Sequence, residues 1–340
     1  MRITIAICTF NRSALLRQCL DQMARMLVPP EVSLELLVVN NNCTDETDAV
    51  LEKFAQTLPL RRVFEPAAGL SNARNAALAE ATGEYILFTD DDVLVAEAWL
   101  VEFMNGIRRY PDAAAIGGVI EPWFQSEPDP DLFSAFRELR IGFCGLDHHC
   151  PPGPLALPAT LYGASMAFRM AAIDGHTFNP LLGVTPDSSG GGEEHEFLRQ
   201  LRARGGEVFW WPAMALRHYV DPRRMTLAYL LQHMFQAGRI DVLMASLAHA
   251  RTAAKPPRWL WRRCAETYLA AFLGSYVLPA RWLQSTLFMA PLPSGGSRKV
   301  RSLALQRQYF YIRGMIEGHR QLGASTKPRV FWFGTCEKTV

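Results

Sequence analysis

Short apolar runs alternate with helical patterns along the first 90 residues of the chain. Residues 2–9 and 34–39 are rich in β-branched and apolar side chains, as in strands buried within a parallel sheet. Residues 13–27 have apolar side chains at helical spacing, with Ser13 as the predicted N-cap. This alternation predicts an α/β fold with a Rossmann-like, doubly wound, mostly parallel sheet. The pattern continues with predicted helices over 44–57 and 70–81 and predicted strands near 61–64 and 84–88.

The chain becomes less regular after this alternating region. Residues 121–160 are Pro-rich and too long for a simple connection, so we expect a binding loop or lid there. A strand-like segment over 162–169 leads through a Gly-rich stretch to a helix over 190–206 with an acidic start. We predict one region over residues 1–220, followed by a helical, basic and aromatic region over 221–340.

Polar residues directly follow three of the predicted strands. The carboxyl ends of parallel strands meet at one edge of a sheet, so these residues should converge there. The sequence contains neither a GxGxxG fingerprint nor a P-loop, so the site holds its ligand in another way. The three clusters are Thr9 to Arg12, Asn40 to Asp45 and Asp90 to Asp92.

The third cluster places three adjacent carboxylates, Asp90, Asp91 and Asp92, at the end of an apolar strand. Such groups repel one another unless a cation or strong donors compensate. Oxygen ligands at a strand end suit Mg²⁺ or Mn²⁺, which would bridge the phosphates of a nucleotide. The alternative is a solvated helix N-cap, because a helical pattern follows the triplet. Together with the Asn cluster and a later "GGEE" helix start, the triplet favours a metal and a ribose.

Five motifs in order resemble those of family 2 inverting glycosyltransferases, which have the GT-A fold. The resemblance covers about residues 1–240 and implies a nucleotide-sugar donor, usually a UDP-sugar, bound with Mn²⁺ or Mg²⁺. It also implies a nucleotide-sugar-binding half over 1–120 and an acceptor-binding half over 121–220. The motifs are "AICTFNR", "LLVVNNNCTDET", "GLSNARNAALAEATGEYILFTDDDV", "GASMAFR" and "GGEEHEFLRQLRARGGEVFWWPAMALRHYV".

The resemblance assigns the donor and metal contacts. Asn40 stands where the family has Asp, so the uracil contact changes from a carboxylate to an amide, which can still pair with an imide edge. Arg74 matches an arginine that lies near the nucleotide, the alternative being an exposed helix charge. The resemblance implies nucleotide contacts from Thr9, Asn11, Arg12, Asn40, Asn42, Arg74, Asn75, Asp90 and Asp91, and metal ligands from Asp92, Asp90 and His218.

The resemblance also assigns the chemistry of the acceptor. Glu194, with Glu193 as its neighbour, matches the acid that deprotonates the acceptor hydroxyl in a single displacement with inversion. The alternative is a set of surface acids in the first turn of a helix. For His218 the alternative is a packed strand residue. Three tryptophans could stack on sugars or pack in the core, namely Trp123, Trp210 and Trp211.

Two other functions compete with glycosyl transfer. A sugar-phosphate nucleotidyltransferase also uses a Rossmann-like sheet and Mg²⁺, but its N-terminal phosphate loop would contain Gly, which "CTFNRSALL" does not. A non-catalytic, membrane-surface scaffold could bind the nucleotide-sugar or a glycan. The presence of Glu193, Glu194 and the Asp triplet argues against a scaffold, because a binding protein needs no base.

Composition adds limits on the environment of the protein. The seven cysteines are scattered without a CxxC pair, which favours a reducing cytosol over a disulfide framework. A zinc site in "CGLDHHC", from Cys144, His148, His149 and Cys150, would lack a second half-site. The first residues alternate like a strand, so we expect no secretory signal.

Charge separates the last quarter of the chain from the rest. Residues 251–340 hold 15 Lys/Arg and 3 Asp/Glu, a net charge of +12, whereas residues 1–250 have a net charge of −10. Within 259–290, Trp and Arg flank an apolar stretch that is marginal for a bilayer span. We expect a helix or a helical hairpin lying in the interface of an anionic leaflet at the cytoplasmic face of the inner membrane, near a glycan or lipid-linked acceptor. The alternative is a buried helix; nucleic-acid binding is not expected, because the segment is apolar between its charges.

Overall fold

The structure is a computed structural model that describes residues 1–136, 143–185, 191–249, 256–272 and 297–324. The strands are β1 Arg2–Thr9, β2 Ser33–Asn40, β3 Leu60–Phe64, β4 Tyr85–Asp90, β5 Val93–Val95, β6 Ala115–Gly117, β7 Ile120–Phe124, β8 Gly153–Pro154, β9 Met166–Arg169, β10 Val208–Trp210 and β11 Leu216–Val220. The helices are α1 Ser13–Met23, α2 Thr47–Phe54, α3 Leu70–Glu80, α4 Trp99–Arg109, α5 Pro130–Phe136, α6 Met170–Ile173, α7 Glu193–Ala203, α8 Leu227–His249, α9 Arg258–Phe272 and α10 Arg298–Ala324. Short 3₁₀ turns lie at Gly163–Ser165 and Pro222–Met225.

The described residues divide into two compact units. We call them the sheet unit and the helical unit. The sheet unit comprises residues 1–123, 144–185 and 193–219. The helical unit comprises residues 124–136, 143, 191–192, 220–249, 256–272 and 297–324.

An eight-stranded sheet in the order β3-β2-β1-β4-β9-β6-β10-β8 forms the centre of the sheet unit. Its first four strands are parallel, and β9 then pairs antiparallel with both β4 and β6. The register places Thr9 beside Asn40 and Cys8 beside Asp90, so the ends of β1, β2 and β4 lie together. The predicted α/β fold with a large, mostly parallel sheet is confirmed.

A second sheet in the order β5-β11-β7 begins directly after the acidic triplet. Strand β5 pairs antiparallel with β11, which sets His218 opposite Val93. The next helix, α4, begins only at Trp99 and has Ala98 as its N-cap residue. The helix-cap interpretation of the triplet is therefore wrong, because the chain turns back into a strand there.

Local side-chain chemistry explains why one helix starts later than the sequence predicts. Helix α2 begins at Thr47, three residues after the predicted start. The Asp45 carboxylate accepts hydrogen bonds from the backbone N and the hydroxyl of Thr47, so the residues before the helix form a turn.

Helices build the helical unit, as the sequence predicts for the C-terminal region. Gly238 of α8 and Gly314 of α10 allow close approach, since a Cβ on Gly314 would lie 1.9 Å from the carbonyl O of Phe235. In the described part of the chain, every helix is too short or too polar to cross a bilayer. Of the predicted interfacial segment over 259–290, residues 273–290 lie outside the described residues.

Candidate active site

Two members of the acidic triplet are buried and held by donors from the end of β1, whereas Asp90 is half-buried. Asp91 and Asp92 are only 3% and 6% exposed. The Thr9 hydroxyl donates to Asp91 Oδ2 over 2.7 Å. Arg12 Nη1 donates to Asp91 Oδ1 over 3.1 Å and to Asp92 Oδ2 over 2.7 Å. These donors offset the repulsion between adjacent carboxylates, as the strand-end clusters predict.

Asp90, Asp92 and His218 form a three-ligand cluster in which one ligand atom from each lies within 4.8 Å of the others. His218 Nε2 is 3.2 Å from Asp90 Oδ2 and 3.4 Å from Asp92 Oδ1. Its Nδ1 lies 3.0 Å from the carbonyl O of Tyr219, which can only accept, so Nδ1 carries a proton and Nε2 faces the carboxylates.

The donor set fits a divalent cation. Asp92 Oδ1 is buried and accepts no hydrogen bond from any residue that the structure describes. A ligating histidine commonly donates its other ring N–H to a backbone carbonyl, as His218 does. Two carboxylates and one imidazole, with open positions for phosphate oxygens, suit Mn²⁺ or Mg²⁺.

The pKa shifts in this cluster show a strongly negative environment. Burial raises the pKa of Asp91 to about 7, although Arg12 opposes the shift. Burial would lower the pKa of His218, but Asp92, Cys144 and Asp90 together raise it well above its usual value. The pKa of Asp90 is lowered despite burial, mainly by its hydrogen bond from His218. The same field that stabilises an imidazolium ion favours a bound metal cation.

Arg74 on α3 connects this cluster with the acids at the start of α7. Its side chain is only 3% exposed, with Nη1 2.9 Å from Glu193 Oε1 and 3.2 Å from Glu194 Oε1. Its Nη2 is 3.9 Å from Asp90 Oδ1. The guanidinium also lies 5.5 Å from the ring centroid of Phe178. The interpretation of Arg74 as an exposed helix charge is therefore wrong.

Glu193 and Glu194 differ in protonation because their surroundings differ. Burial, and then the charge of Glu194, raise the pKa of Glu193 to about 8. Burial also opposes ionisation of Glu194, but Arg74 and His195 outweigh it and lower its pKa. The Glu194 side chain is 14% exposed, against 2% for Glu193. An ionised, accessible carboxylate beside a protonated one can act as a general base.

Gly163 is a site residue that the sequence does not single out, although it lies within a quoted motif. Its backbone N–H donates to Glu194 Oε1 over 3.2 Å. A Cβ at this position would lie 1.7 Å from Arg74 Nη2 and 2.9 Å from Glu194 Oε1. Gly163 lies in the turn directly before β9, and a glycine beside a strand can indicate a site where other groups approach the backbone closely.

Two of the asparagines predicted to contact the nucleotide form hydrogen bonds with other groups of the protein. Asn40 donates to Asp48 over 2.7 Å and accepts from the backbone N of Cys43 over 2.8 Å. Asn75 exchanges two hydrogen bonds with the backbone of Phe178. Asn11 and Asn42 have positive φ angles of 51° and 63° at the strand ends. Their nucleotide contacts stay predictions.

The three candidate tryptophans pack against or hydrogen-bond to other residues of the protein. Trp210 is fully buried, and Trp211 donates to Glu102 over 3.1 Å. Trp123 packs edge-on against Tyr219 at 5.6 Å between ring centroids. Among the described residues, the only metal-binding group that geometry brings together is the Asp90, Asp92 and His218 cluster, so zinc ligation in the 144–150 segment is not supported.

Comparison with known proteins shows which family and which folds this chain resembles. Residues 4–128 match the family model "Glycosyl transferase family 2". The succinoglycan biosynthesis protein ExoM of Rhizobium meliloti is 27% identical over 73% of this chain and 77% of its own length. The poly(ribitol-phosphate) β-glucosyltransferase of Bacillus spizizenii is 28% identical over 42% of this chain, and only 24% of its own length is matched.

Solved structures share the fold at low sequence identity. The mannosyltransferase PcManGT of Pyrobaculum calidifontis, solved with GDP-Man and Mn²⁺, aligns with a TM-score of 0.60 at 21% identity, covering 93% of this chain and 86% of that one. Staphylococcus aureus TarS 1–349 with UDP-GlcNAc aligns with a TM-score of 0.50 at 16% identity, covering 95% and 91%. The chain therefore has the GT-A fold, is similar to glycosyl transferase family 2 over residues 4–128, and is a glycosyltransferase.

Proposed function

We propose that this enzyme transfers a sugar from a UDP-sugar to a hydroxyl of a glycan or lipid-linked saccharide, with inversion at the anomeric carbon. Residues 1–220 would form its catalytic region. One observation carries the proposal: Arg74 joins a metal-binding cluster to an ionised carboxylate within one buried network. Donor activation and acceptor deprotonation would then take place side by side.

On the donor side, Asp90, Asp92 and His218 would hold Mn²⁺ or Mg²⁺. Bound there, the cation would neutralise charge on the leaving diphosphate. Thr9 and Arg12 fix Asp91, and Arg12 also holds Asp92 Oδ2, which leaves Oδ1 directed toward His218. The complexes of PcManGT with GDP-Man and Mn²⁺ and of TarS with UDP-GlcNAc support a nucleotide-sugar donor of this kind.

On the acceptor side, Glu194 would take the proton of the attacking hydroxyl. Arg74 and the Gly163 N–H both bind Oε1 of this carboxylate, which fixes its orientation and keeps it ionised. Attack from the face opposite the leaving diphosphate inverts the anomeric carbon in one displacement. Glu193, raised in pKa and buried, would position the base rather than act as one.

The charge of the C-terminal region and one similar protein support the proposed acceptor. ExoM is named a succinoglycan biosynthesis protein, which supports a role in polysaccharide assembly. The +12 charge of residues 251–340 supports peripheral contact with an anionic membrane, at the cytoplasmic face where nucleotide-sugars are available. A lipid-linked saccharide would then be within reach as the acceptor.

The experiment that tests the base assignment compares Glu194→Gln with Glu207→Gln, an exposed residue of the same unit. Glu194→Gln should lower transfer by about 10²–10⁴-fold, because the general base is lost. Its affinity for UDP with Mn²⁺, measured by calorimetry, should stay within about twofold of wild type. Transfer at the wild-type rate in Glu194→Gln would refute the assignment. A protein that binds donor but shows no transfer with any acceptor would favour the scaffold alternative.

A further inference from the structure

Helix α9 carries its large aromatic side chains on the face that it does not bury. Positions 258, 261, 262, 265, 268, 269 and 272 follow three- and four-residue spacing and are all exposed. Trp261 and Tyr268 are each 44% exposed, and Phe272 is 45% exposed. A surface helix of a globular protein normally shows the opposite pattern, with its apolar stripe toward the core.

The buried face of α9 consists of smaller residues and fixes how the helix sits on α10. Leu260 packs with Ile312 and Ile316 of α10 near one end of α9. Ala270 and Ala271 pack with Leu305 near the other end. The two helices are therefore antiparallel neighbours, and their packing holds the exposed aromatic stripe in place.

The half-buried Tyr309 of α10 adjoins the exposed stripe. The Tyr309 ring lies 5.4 Å from that of Tyr268 and 5.7 Å from that of Phe272, measured between centroids. We call Trp261, Tyr268, Leu269, Phe272 and Tyr309 the aromatic patch. Two helices thus contribute to one apolar surface about 17 Å long, from the rise of 1.5 Å per helical residue between Trp261 and Phe272.

Cations surround the aromatic patch. The Arg320 guanidinium lies 5.1 Å from the Trp261 ring centroid, and that of Arg313 lies 5.8 Å from the Tyr309 ring centroid. Arg258 is exposed on the same face of α9 as Trp261. Helices α9 and α10 together contain nine Lys/Arg and two Glu, whereas residues 1–250 have a net charge of −10. Positive charge is thus concentrated beside the patch.

We propose that this aromatic patch docks on an anionic lipid surface. Aromatic rings place their apolar bodies at headgroup level, while arginines extend to lipid phosphates. A second copy of the chain fits less well, since a self-complementary contact would set like charges opposite one another. The aromatic patch would supply the membrane contact of the proposed function. Membrane binding itself does not depend on that function, whereas the identity of the acceptor held at the membrane does.

Vesicle sedimentation with the full chain tests the proposal. The probes are phosphatidylglycerol–phosphatidylcholine vesicles and vesicles of phosphatidylcholine alone. We expect binding to the anionic vesicles that weakens as salt rises. The variant Trp261→Ala/Tyr268→Ala/Phe272→Ala should bind them about tenfold or more weakly, through lost apolar burial. Arg258→Ala should weaken binding on the order of fivefold, the effect of one interfacial arginine.

The control variant removes exposed apolar side chains from the sheet unit instead, as Leu27→Ala/Val28→Ala/Leu157→Ala. It should bind vesicles like the wild type. Calorimetric binding of UDP with Mn²⁺ by the α9 variant separates this inference from the proposed function, because the donor site lies in the other unit. Unchanged vesicle binding by the α9 variant would overturn the proposal, and so would equal binding to neutral vesicles. A wild-type dimer that the α9 variant abolishes would overturn it in favour of a second copy.

Discussion

Replacing Arg74 by Gln removes a buried cation that contacts two carboxyl groups. Its Nη1 contacts Glu193 Oε1 at 2.9 Å and Glu194 Oε1 at 3.2 Å, in a side chain that is 3% exposed. Removing one partner of a buried ion pair typically costs about 3–5 kcal/mol, since the other charge stays uncompensated. Protonated Glu193 needs no counter-charge, so most of the loss falls on Glu194. We expect the free energy of unfolding to fall by about 3 kcal/mol at neutral pH.

The loss should depend on pH with a definite sign. Without Arg74, burial raises the pKa of Glu194 above its value in the unfolded chain, instead of Arg74 lowering it. A raised carboxyl pKa means that the folded state holds its proton more tightly, so stability declines as pH rises above about 4.5. The difference between wild type and Arg74→Gln should therefore be larger at pH 8 than at pH 5.

Urea unfolding followed by tryptophan fluorescence at both pH values measures this effect. Arg17→Gln is the matched control, because Arg17 is exposed on α1 of the same unit. It should stay within about 0.5 kcal/mol of wild type. An Arg74→Gln loss below about 1 kcal/mol, or a loss independent of pH, would refute the reasoning that Arg74 compensates the buried acids.

Two further predictions concern Gly163 of the candidate active site and Glu35 of the sheet unit. Gly163→Ala should lower the transfer rate by about 10²-fold or more with little change in UDP affinity. The added Cβ would lie 1.7 Å from Arg74 Nη2 and would displace the base. Steady-state kinetics measure the transfer rate, and calorimetry measures the UDP affinity. Burial opposes ionisation of Glu35, but hydrogen bonds from Thr4, Thr82 and Arg61 lower its pKa from 4.5 to about 2. The ionised group therefore stabilises the folded state above about pH 4.5, and this stabilisation is lost as pH falls toward 2. Glu35→Gln should cost about 3 kcal/mol at pH 7 and almost nothing near pH 2 in urea unfolding, whereas an equal cost at both values would contradict the assigned pKa.

Much of the fold and part of the site could be predicted from local pattern. Strands β1, β2 and β4 consist largely of consecutive apolar residues because both faces of a parallel sheet are covered. The acidic triplet and the Thr9 cluster both follow parallel strands, which predicts that they converge at one edge of the sheet, and Thr9 does contact Asp91. These inferences need only sequence neighbours and the topology that alternation implies.

The rest depends on contacts between distant segments. Arg74 and Glu193 are 119 residues apart in sequence, and no periodicity indicates that they pair. The turn from β4 into β5 depends on pairing with β11, so the triplet looked equally like a helix start. Asn40 could be aligned with a nucleotide contact, but only the structure shows its amide bonded to Asp48 and Cys43.

The most direct test of the account is calorimetric titration of UDP into the purified chain with and without Mn²⁺, repeated on Asp92→Asn. Asp112→Asn, an exposed position in the same unit, is the control. The account predicts Mn²⁺-dependent UDP binding in wild type and in Asp112→Asn, weakened at least about tenfold in Asp92→Asn. UDP binding that is indifferent to Mn²⁺, or unchanged in Asp92→Asn, would contradict the claim that Asp90, Asp92 and His218 form the metal site of a nucleotide-sugar enzyme.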